Sequence, residues 1–252
     1  SACISGTSSA SDGGGSGSID LADNALLNVQ SGTVTIASQS GSAGTITLSG
    51  SNAMLAVAAL IVGGAGAGAL SLADQTSVST TGDVTVGASA GNKDSLGTLT
   101  LAAGSSLSDG GNLTVAAGGQ GSLVVNGGSL SLFGSSFTVG SQANSNGDVS
   151  IQNTSVTVVG SVVVGAAGQA TFSVNSTGGL SATSIVLGKG TDGAGTFALD
   201  GAGSSTQSGD ITVGASGVGA LQVTDKAALS TSGNATIASK GIPVQQTVTL
   251  DT

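Results

Sequence analysis

The feature that most constrains this chain is a short phrase that recurs along almost its whole length. It reads GDVTVG from residue 82, SFTVG from residue 136 and GDITVG from residue 209. Each copy ends on a small residue, and these residues are Ala37, Gly63, Gly87, Ala116, Gly140, Gly165, Gly188, Gly214 and Ala238. Their spacing averages about 25 residues, which is a period typical of stacked repeat proteins.

Every repeat contains two further apolar phrases. The second phrase reads GTITL from residue 44 and GTLTL from residue 97. A third phrase follows it with a single apolar residue, which we call the third hit. The third hits are Met54, Val78, Leu107, Leu130, Val156, Leu180 and Leu229, whereas the turn from Gly195 offers GAGSSTQS instead. Apolar and polar residues alternate within these phrases and glycines bound them, which indicates short strands with one buried face.

Three short strands per turn, repeated about nine times, predict an all-β fold, namely a right-handed parallel β-helix or β-solenoid. We expect a single domain over residues 1–252, with an atypical first turn at 1–31, regular repeats over 32–238 and an end turn at 239–252. One turn alone buries too few aliphatic side chains to offset the entropy of ordering it. Stacking is therefore required, and glycines at the corners permit the positive φ of sharp turns.

Residues 53–70 form a stretch without any charge. Its length reaches the lower limit of a membrane-spanning helix, which is roughly 17 residues. The repeat instead divides it between strands, with Leu60 and Val62 facing inward, so we predict no membrane insertion. Ile61 and Ala59 would then face outward as a small apolar patch, and we expect a lateral contact there.

Composition narrows the range of functions. The chain has 13 acidic residues, all aspartate, against four lysines, and its net charge is −9. It has no basic footprint for nucleic acid. It also has no His, Trp or Tyr, and neither Arg nor Glu occurs. General acid–base or nucleophilic catalysis needs clustered groups of these types, so we expect no enzyme and no cofactor.

Metal and disulfide chemistry are not expected either. Cys3 is the single cysteine, which rules out a disulfide framework and a Cys/His metal cluster; it is lipidated, paired between molecules or free. Residues 11–20 and 188–195 imitate pieces of a calcium-binding nonapeptide, but the pattern does not recur in tandem. We interpret both segments as turns and predict no metal site.

The outward face of the first strand is the candidate interaction face. Its central positions are Thr35, Ile61, Thr85, Thr114, Thr138, Val163, Val186, Thr212 and Thr236, a threonine ladder interrupted by aliphatics. Stacked threonine also simply suits strands, so the ladder has either a structural role or a role in binding a partner, a polymer or ice. The neighbouring outward column has a mixed composition, which argues against ice.

Residues 195–233 and 82–108 closely resemble the repeat of bacterial type V secretion and PEP-CTERM-associated proteins. That family alternates G-D-L-T-V-G with G-x-L-x-V phrases, and the resemblance covers about residues 32–238. It implies an exported bacterial passenger or surface protein, without catalytic residues, that is secreted or displayed on the cell. The chain departs from the family where an aromatic residue often stands, since Ser205 and Thr206 occupy that place.

These observations predict a non-catalytic structural or adhesive segment of an extracellular bacterial protein. One alternative is a subunit of a self-assembling extracellular matrix fibre that stacks head to tail. Another is a solenoid that binds glycan or ice on its threonine ladder. The expected partners are a second copy, head to tail or laterally, or a host or cell surface, and we expect no nucleic acid.

Overall fold

The chain is a parallel β-solenoid. A computed structural model describes residues 14–90, 94–134, 136–238 and 247–250. Within them the chain forms 23 strands and no helix, and every strand pairing is parallel. The strands stack in nine turns, which confirms the predicted fold class. The predictions for Cys3 and for most of the end turn at 239–252 lie outside the described residues.

The second phrases form a ten-stranded sheet along one side of the solenoid. Its strands are β1 (Ser16–Ala22), β3 (Ala43–Ser49), β5 (Ala67–Leu72), β8 (Leu96–Leu101), β11 (Gln120–Asn126), β14 (Asn146–Gln152), β16 (Gln169–Asn175), β18 (Ala194–Asp200), β20 (Val218–Thr224) and β23 (Thr247–Leu250). The described part of the first turn is in register with the rest, because Ile19 and Leu21 lie opposite Ile46 and Leu48.

The third and first phrases together form a thirteen-stranded sheet. Its strands, in turns 1 to 9, are β2 (Leu26–Ile36); β4 (Ser51–Val62); β6 (Gln75–Thr80) with β7 (Val84–Val86); β9 (Ser106–Asp109) with β10 (Leu113–Val115); β12 (Ser129–Leu132) with β13 (Ser136–Val139); β15 (Ser155–Val164); β17 (Gly179–Leu187); β19 (Ser205–Val213); and β21 (Ala228–Thr231) with β22 (Ala235–Ile237). The two phrases are separate strands in turns 3, 4, 5 and 9. In the other five turns they run on as one strand.

Aliphatic side chains from the two sheets fill the interior in columns. Leu60 and Val62 are completely buried, as predicted. Three of the four phenylalanines add an aromatic stack: the ring centroids of Phe137 and Phe172 are 5.4 Å apart, and those of Phe172 and Phe197 are 5.5 Å apart. Each buried side chain of this size stabilises the fold by about 1.5 to 3 kcal/mol, so the interior holds the stack together.

The corner after each first phrase requires a left-handed residue. All nine small residues that mark the repeat have positive φ, including three alanines: the φ of Ala116 is 58° and that of Gly63 is 73°. A Cβ added to Gly63 would collide with the backbone of Leu96 in the next turn. Glycine at this position therefore serves both conformation and close approach.

These corners alternate in length from turn to turn. Four residues join β4 to β5 and β10 to β11. The corners that alternate with these short corners have six or nine residues. The longer corners 37–42 and 87–95 end in Ser42 and Ser95, and a Cβ added to Gly66 or Gly119 of the next short corner would lie 2.6 Å from the serine hydroxyl oxygen. These two short corners require glycine because the backbone and side chain of a serine from the preceding turn occupy the space.

The prediction of Met54 as an inward third hit was wrong. Leu55 lies opposite both Leu27 and Val78, whereas Met54 is 42% exposed. An irregularity in β4 between Ser51 and Met54 inserts one extra residue. Such a bulge moves every following side chain to the opposite face.

The turn from Gly195 also has a third hit, although it is not apolar. Thr206 lies opposite Leu180 and Leu229 and is 1% exposed. No partner within the described residues bonds its hydroxyl oxygen. In this turn a buried threonine therefore continues the inward column in place of an apolar residue.

The uncharged stretch at 53–70 is extended. It comprises most of β4, a four-residue corner and the start of β5. In the part of the chain that the structure describes, no helix has the length and apolar character to span a membrane.

Candidate interaction face

The nine predicted ladder residues lie in one continuous column on the outward side of the thirteen-stranded sheet. Thr35 lies opposite Ile61, Ile61 opposite Thr85, and the pairing continues without a register shift at this position to Thr236. Most of these side chains are partly exposed, while Val163 is buried. The nine positions thus form one column, in which Val163 is covered, and the role of this column in binding stays a prediction.

The neighbouring outward column, just before the first phrase, is bonded internally. Asp83 Oδ1 accepts a hydrogen bond from Asn112 N at 2.8 Å, and Asn112 Oδ1 accepts one from Ser136 Oγ at 3.0 Å. Further along, Ser184 Oγ donates to Ser161 Oγ at 2.9 Å. These polar atoms bind one turn to the next, which explains the mixed but polar composition of this column.

Two more outward columns lie on the same sheet, and the sequence analysis missed them. In turns 3 to 5 they consist entirely of serine, namely Ser77, Ser106 and Ser129 in one column and Ser79, Ser108 and Ser131 in the other. The signal in the sequence is the S-x-S pattern of SVS, SLS and SLS around the third hits. Together with Thr85, Thr114 and Thr138, these six serines form what we call the hydroxyl face.

The hydroxyl face differs from the internally bonded column beside it. Within the described residues, none of its nine side-chain hydroxyls makes a hydrogen bond to the protein. Each hydroxyl can donate one hydrogen bond and accept two. The face therefore presents a regular array of hydrogen-bonding groups to its surroundings, at about 4.8 Å per turn.

Turn 2 presents the opposite chemistry at the same positions. Its outward residues are Met54, Ala56, Ala58, Ala59 and Ile61, which we call the apolar strip. The predicted patch of Ile61 and Ala59 is therefore present, and Met54 and Ala56 extend it across the sheet. The lateral contact predicted there stays a prediction.

A buried carboxyl group lies inside the solenoid, and sequence analysis did not single it out. Asp109 is completely buried in a position that Leu132 and Val158 occupy in later turns. Its Oδ1 accepts hydrogen bonds from Thr80 Oγ1 at 2.7 Å and Gly111 N at 3.1 Å, whereas Oδ2 has no partner among the described residues.

Burial raises the pKa of Asp109 above its ordinary value of 3.8. The hydrogen bonds from Thr80 and Gly111 act in the opposite direction, and the nearby charge of Asp83 adds to the increase. A perturbed carboxyl group can indicate a functional site. Asp109 is sealed from solvent, so its position is one that a substrate cannot reach.

Two open hollows interrupt the surface. One, of about 230 Å³, is lined by Ser181, Gln207 and Ser230 with their neighbours. The other, of about 390 Å³, extends over three successive corners beside Asn144, Gln169 and Asp192. Among the described residues, no group of three or more metal-binding side chains comes together. The hollows offer hydroxyl and amide groups and one carboxylate.

Comparison with known proteins gives no match for this chain: no family model, curated protein or solved structure is significantly similar to it. The resemblance to type V secretion and PEP-CTERM-associated repeats therefore stays a prediction.

Proposed function

We propose that this chain is a non-catalytic structural or adhesive segment of a secreted or cell-surface bacterial protein, and that it makes its contacts through the outward side of the thirteen-stranded sheet. The observation that carries the proposal is the register of the outward columns. Because equivalent positions lie opposite each other turn after turn, any contact chemistry on this side is repeated along the axis.

Repetition can turn weak contacts into useful adhesion. Nine turns at about 4.8 Å span about 40 Å, so a partner with its own repeat can engage several turns at once. Linked contacts gain overall strength through effective concentration, even when each one is weak. The hydroxyl face supplies nine hydroxyls that make no hydrogen bond to the described residues, which suits a polar, repetitive surface such as an insoluble polysaccharide.

The location of the carboxyl group of Asp109, whose pKa is raised, also supports a non-catalytic role. Asp109 is 0% exposed and faces the aliphatic interior. A general acid or base must come within hydrogen-bonding distance of its substrate. Its raised pKa is therefore better explained as a consequence of burial than as preparation for catalysis.

Adhesion can be tested with beads coated with the chain and with glass coated with cellulose, chitin or the same chain. In the test variant, Thr85, Thr114 and Thr138 on three adjacent turns are all replaced by lysine. Long charged side chains on the ladder should disrupt contact across the face. We expect about a tenfold loss of bead retention on whichever surface holds the unmodified chain, because several turns lose contact together.

A matched control places three lysines on the ten-stranded sheet. Thr47, Ser71 and Thr100 lie opposite one another on adjacent turns of that sheet and are also partly exposed. This variant should retain the beads as the unmodified chain does. Equal losses in both variants, or no retention of the unmodified chain on any of the surfaces, would contradict the proposal.

A further inference from the structure

The exposed large apolar residues on the outward side of the thirteen-stranded sheet form two features within turns 1 to 6. The first is the apolar strip of turn 2, with Leu26 of turn 1 opposite Met54 and 54% exposed. The second is Phe133 in turn 5, which is 65% exposed, with Val159 of turn 6, which is 62% exposed. The other phenylalanines, Phe137, Phe172 and Phe197, are each completely buried. An aromatic ring is the costliest side chain to leave in water, and exposed apolar groups of this kind mark contact surfaces.

The two features occupy the same column. Val57 lies opposite Thr80, Thr80 opposite Asp109, and Asp109 opposite Leu132. Ala58 directly follows Val57, and Phe133 directly follows Leu132. Ala58 and Phe133 therefore hold equivalent positions, separated by about 14 Å along the axis.

Their sizes are complementary. Ala56, Ala58 and Ala59 leave a shallow floor in the middle of turn 2, between the larger side chains of Met54 and Ile61. In turn 5 the chain passes the same point through a longer connection between β12 and β13, on which Phe133 projects. A projecting ring suits an alanine floor better than it suits a second ring.

One symmetry operation brings the two features together. A two-fold axis parallel to the strands, placed between turns 3 and 4, reverses the stacking direction and keeps each column opposite itself. It sets turn 2 of one copy against turn 5 of the other, and the reverse. We infer that the partner of this face is a second copy of the chain, packed antiparallel so that Phe133 of each copy covers the alanine floor of the other, as in isologous interfaces.

The charges on the face agree with this arrangement. Among the described outward positions of turns 1 to 6 on this sheet, Asp83 is the one charged residue. The two-fold axis places it opposite Asn112 of the partner, because turn 3 faces turn 4. A carboxylate then meets an amide and not a second carboxylate, which avoids the cost of like charges at an interface. The serines of turns 3 and 4 also face serines, and hydroxyl pairs can both donate and accept.

The area is sufficient for a weak but specific dimer. Six turns, separated by five spacings of about 4.8 Å, and seven residues of about 3.3 Å each cover about 550 Å² per copy. The total of about 1,100 Å² lies just above the lower limit for biological interfaces. We therefore expect dissociation at about micromolar concentration. The inference rests on the proposed function, since it names the partner for the same face.

Cross-linking tests the arrangement directly. In a background with Cys3→Ser, one preparation carries Ala56→Cys and another carries Ser131→Cys, so that Phe133 is kept. These two positions lie opposite each other across the inferred interface. A short bismaleimide that bridges about 10 Å, the distance between packed sheets, should link the two variants when they are mixed. Neither variant should link to itself. In a dimer of one variant the two identical cysteines are separated by about 14 Å along the axis, in addition to the distance between the sheets.

Sedimentation velocity supplies the matched comparison. Phe133→Ser should raise the dimer dissociation constant at least about tenfold, as expected for a central aromatic contact. Leu96→Ser removes an apolar residue that is 42% exposed on the ten-stranded sheet and should leave the dissociation constant unchanged. Self-linking of Ala56→Cys would show turn 2 against turn 2 and overturn the arrangement, as would equal effects of the two serine variants.

The dimer and the proposed function can fail separately. A monomer at millimolar concentration, without any cross-link, would overturn the inference. If the lysine ladder variant nevertheless lost its retention on cellulose or chitin, the adhesive face would stand with a polysaccharide as its partner. If retention on those surfaces were unaffected while the cross-link formed, the face would serve self-association and the adhesive proposal would fail.

Discussion

Turn 2 and turns 3 to 5 have the same inside and opposite outsides. Most inward residues of both are completely buried aliphatics, such as Leu60 and Val62 in turn 2 and Leu113 and Val115 in turn 4. At the outward positions, turn 2 has the apolar strip, whereas the following three turns have the hydroxyl face. The strand pairing between these turns is nonetheless continuous.

Inward and outward residues of a turn have different roles. Inward residues determine that a turn joins the stack, because their burial offsets the entropy of ordering the chain. Outward residues are free to vary as long as they suit a strand, so they carry the contacts with partners. Turn 2 resembled a membrane segment because it is apolar on both faces. Its apolar outward face is the feature that indicates a contact with a partner.

The largest effect should follow substitution of inward residues, equally in both regions. Leu60→Ala and Leu113→Ala should each lower the free energy of unfolding by about 2 to 5 kcal/mol, since each leaves a cavity. Ile61→Thr and Thr114→Ala, one residue further along the same strands, should change it by less than about 0.5 kcal/mol. Urea unfolding of the four variants measures the contrast. A loss at Ile61 as large as that at Leu60 would refute the assignment of their faces.

A smaller effect should appear at the one buried carboxyl group of turn 4. Asp109→Asn keeps the shape and an acceptor for Thr80 and Gly111 but cannot ionise. At neutral pH we expect this variant to be more stable than the unmodified chain by at least about 1 kcal/mol, because the unmodified chain must bury a charge or hold a proton at Asp109, whereas the amide carries neither. Urea unfolding at pH 7 measures the difference.

The pH dependence gives the matching control for Asp109. Its pKa is raised in the folded chain, so the folded state holds a proton that the unfolded state has released between pH 3.8 and the raised value. Stability of the unmodified chain should therefore fall as the pH rises through this window. Asp109→Asn should lose this dependence, and the two chains should converge as the pH falls below the raised pKa. A constant difference at all pH values would show that ionisation of Asp109 is not the cause.

Much of the fold was predictable because the repeat is visible in residue types. The period, the inward positions of Leu60 and Val62, and the outward column from Thr35 to Thr236 all follow from alternation and from small corner residues. Positive φ at every corner of this kind was expected from glycine and extends to Ala37, Ala116 and Ala238. These features depend on residues that are close together along the chain, so the sequence pattern is sufficient to predict them.

The remaining features depend on neighbours in space. A bulge in β4 moved the inward position from Met54 to Leu55, and no residue type announces such a shift. Asp109 and Thr206 replace aliphatics inside the solenoid, so hydrophobicity could not identify their positions. The S-x-S columns were present in the sequence, but their continuity became apparent when the register placed Ser79 opposite Ser108.

The most direct test converts the outside of turn 2 into that of turn 5. The variant carries Met54→Ser, Ala56→Ser, Ala59→Ser and Ile61→Thr, which reproduces Ser129, Ser131, Ser136 and Thr138. Circular dichroism during urea unfolding should give the β-sheet spectrum and a free energy of unfolding within about 1 kcal/mol of the unmodified chain. Sedimentation velocity of the same samples should show a monomer where the unmodified chain dimerises. An unfolded variant, or one that still dimerises, would contradict the division between an inside that builds the solenoid and an outside that makes its contacts.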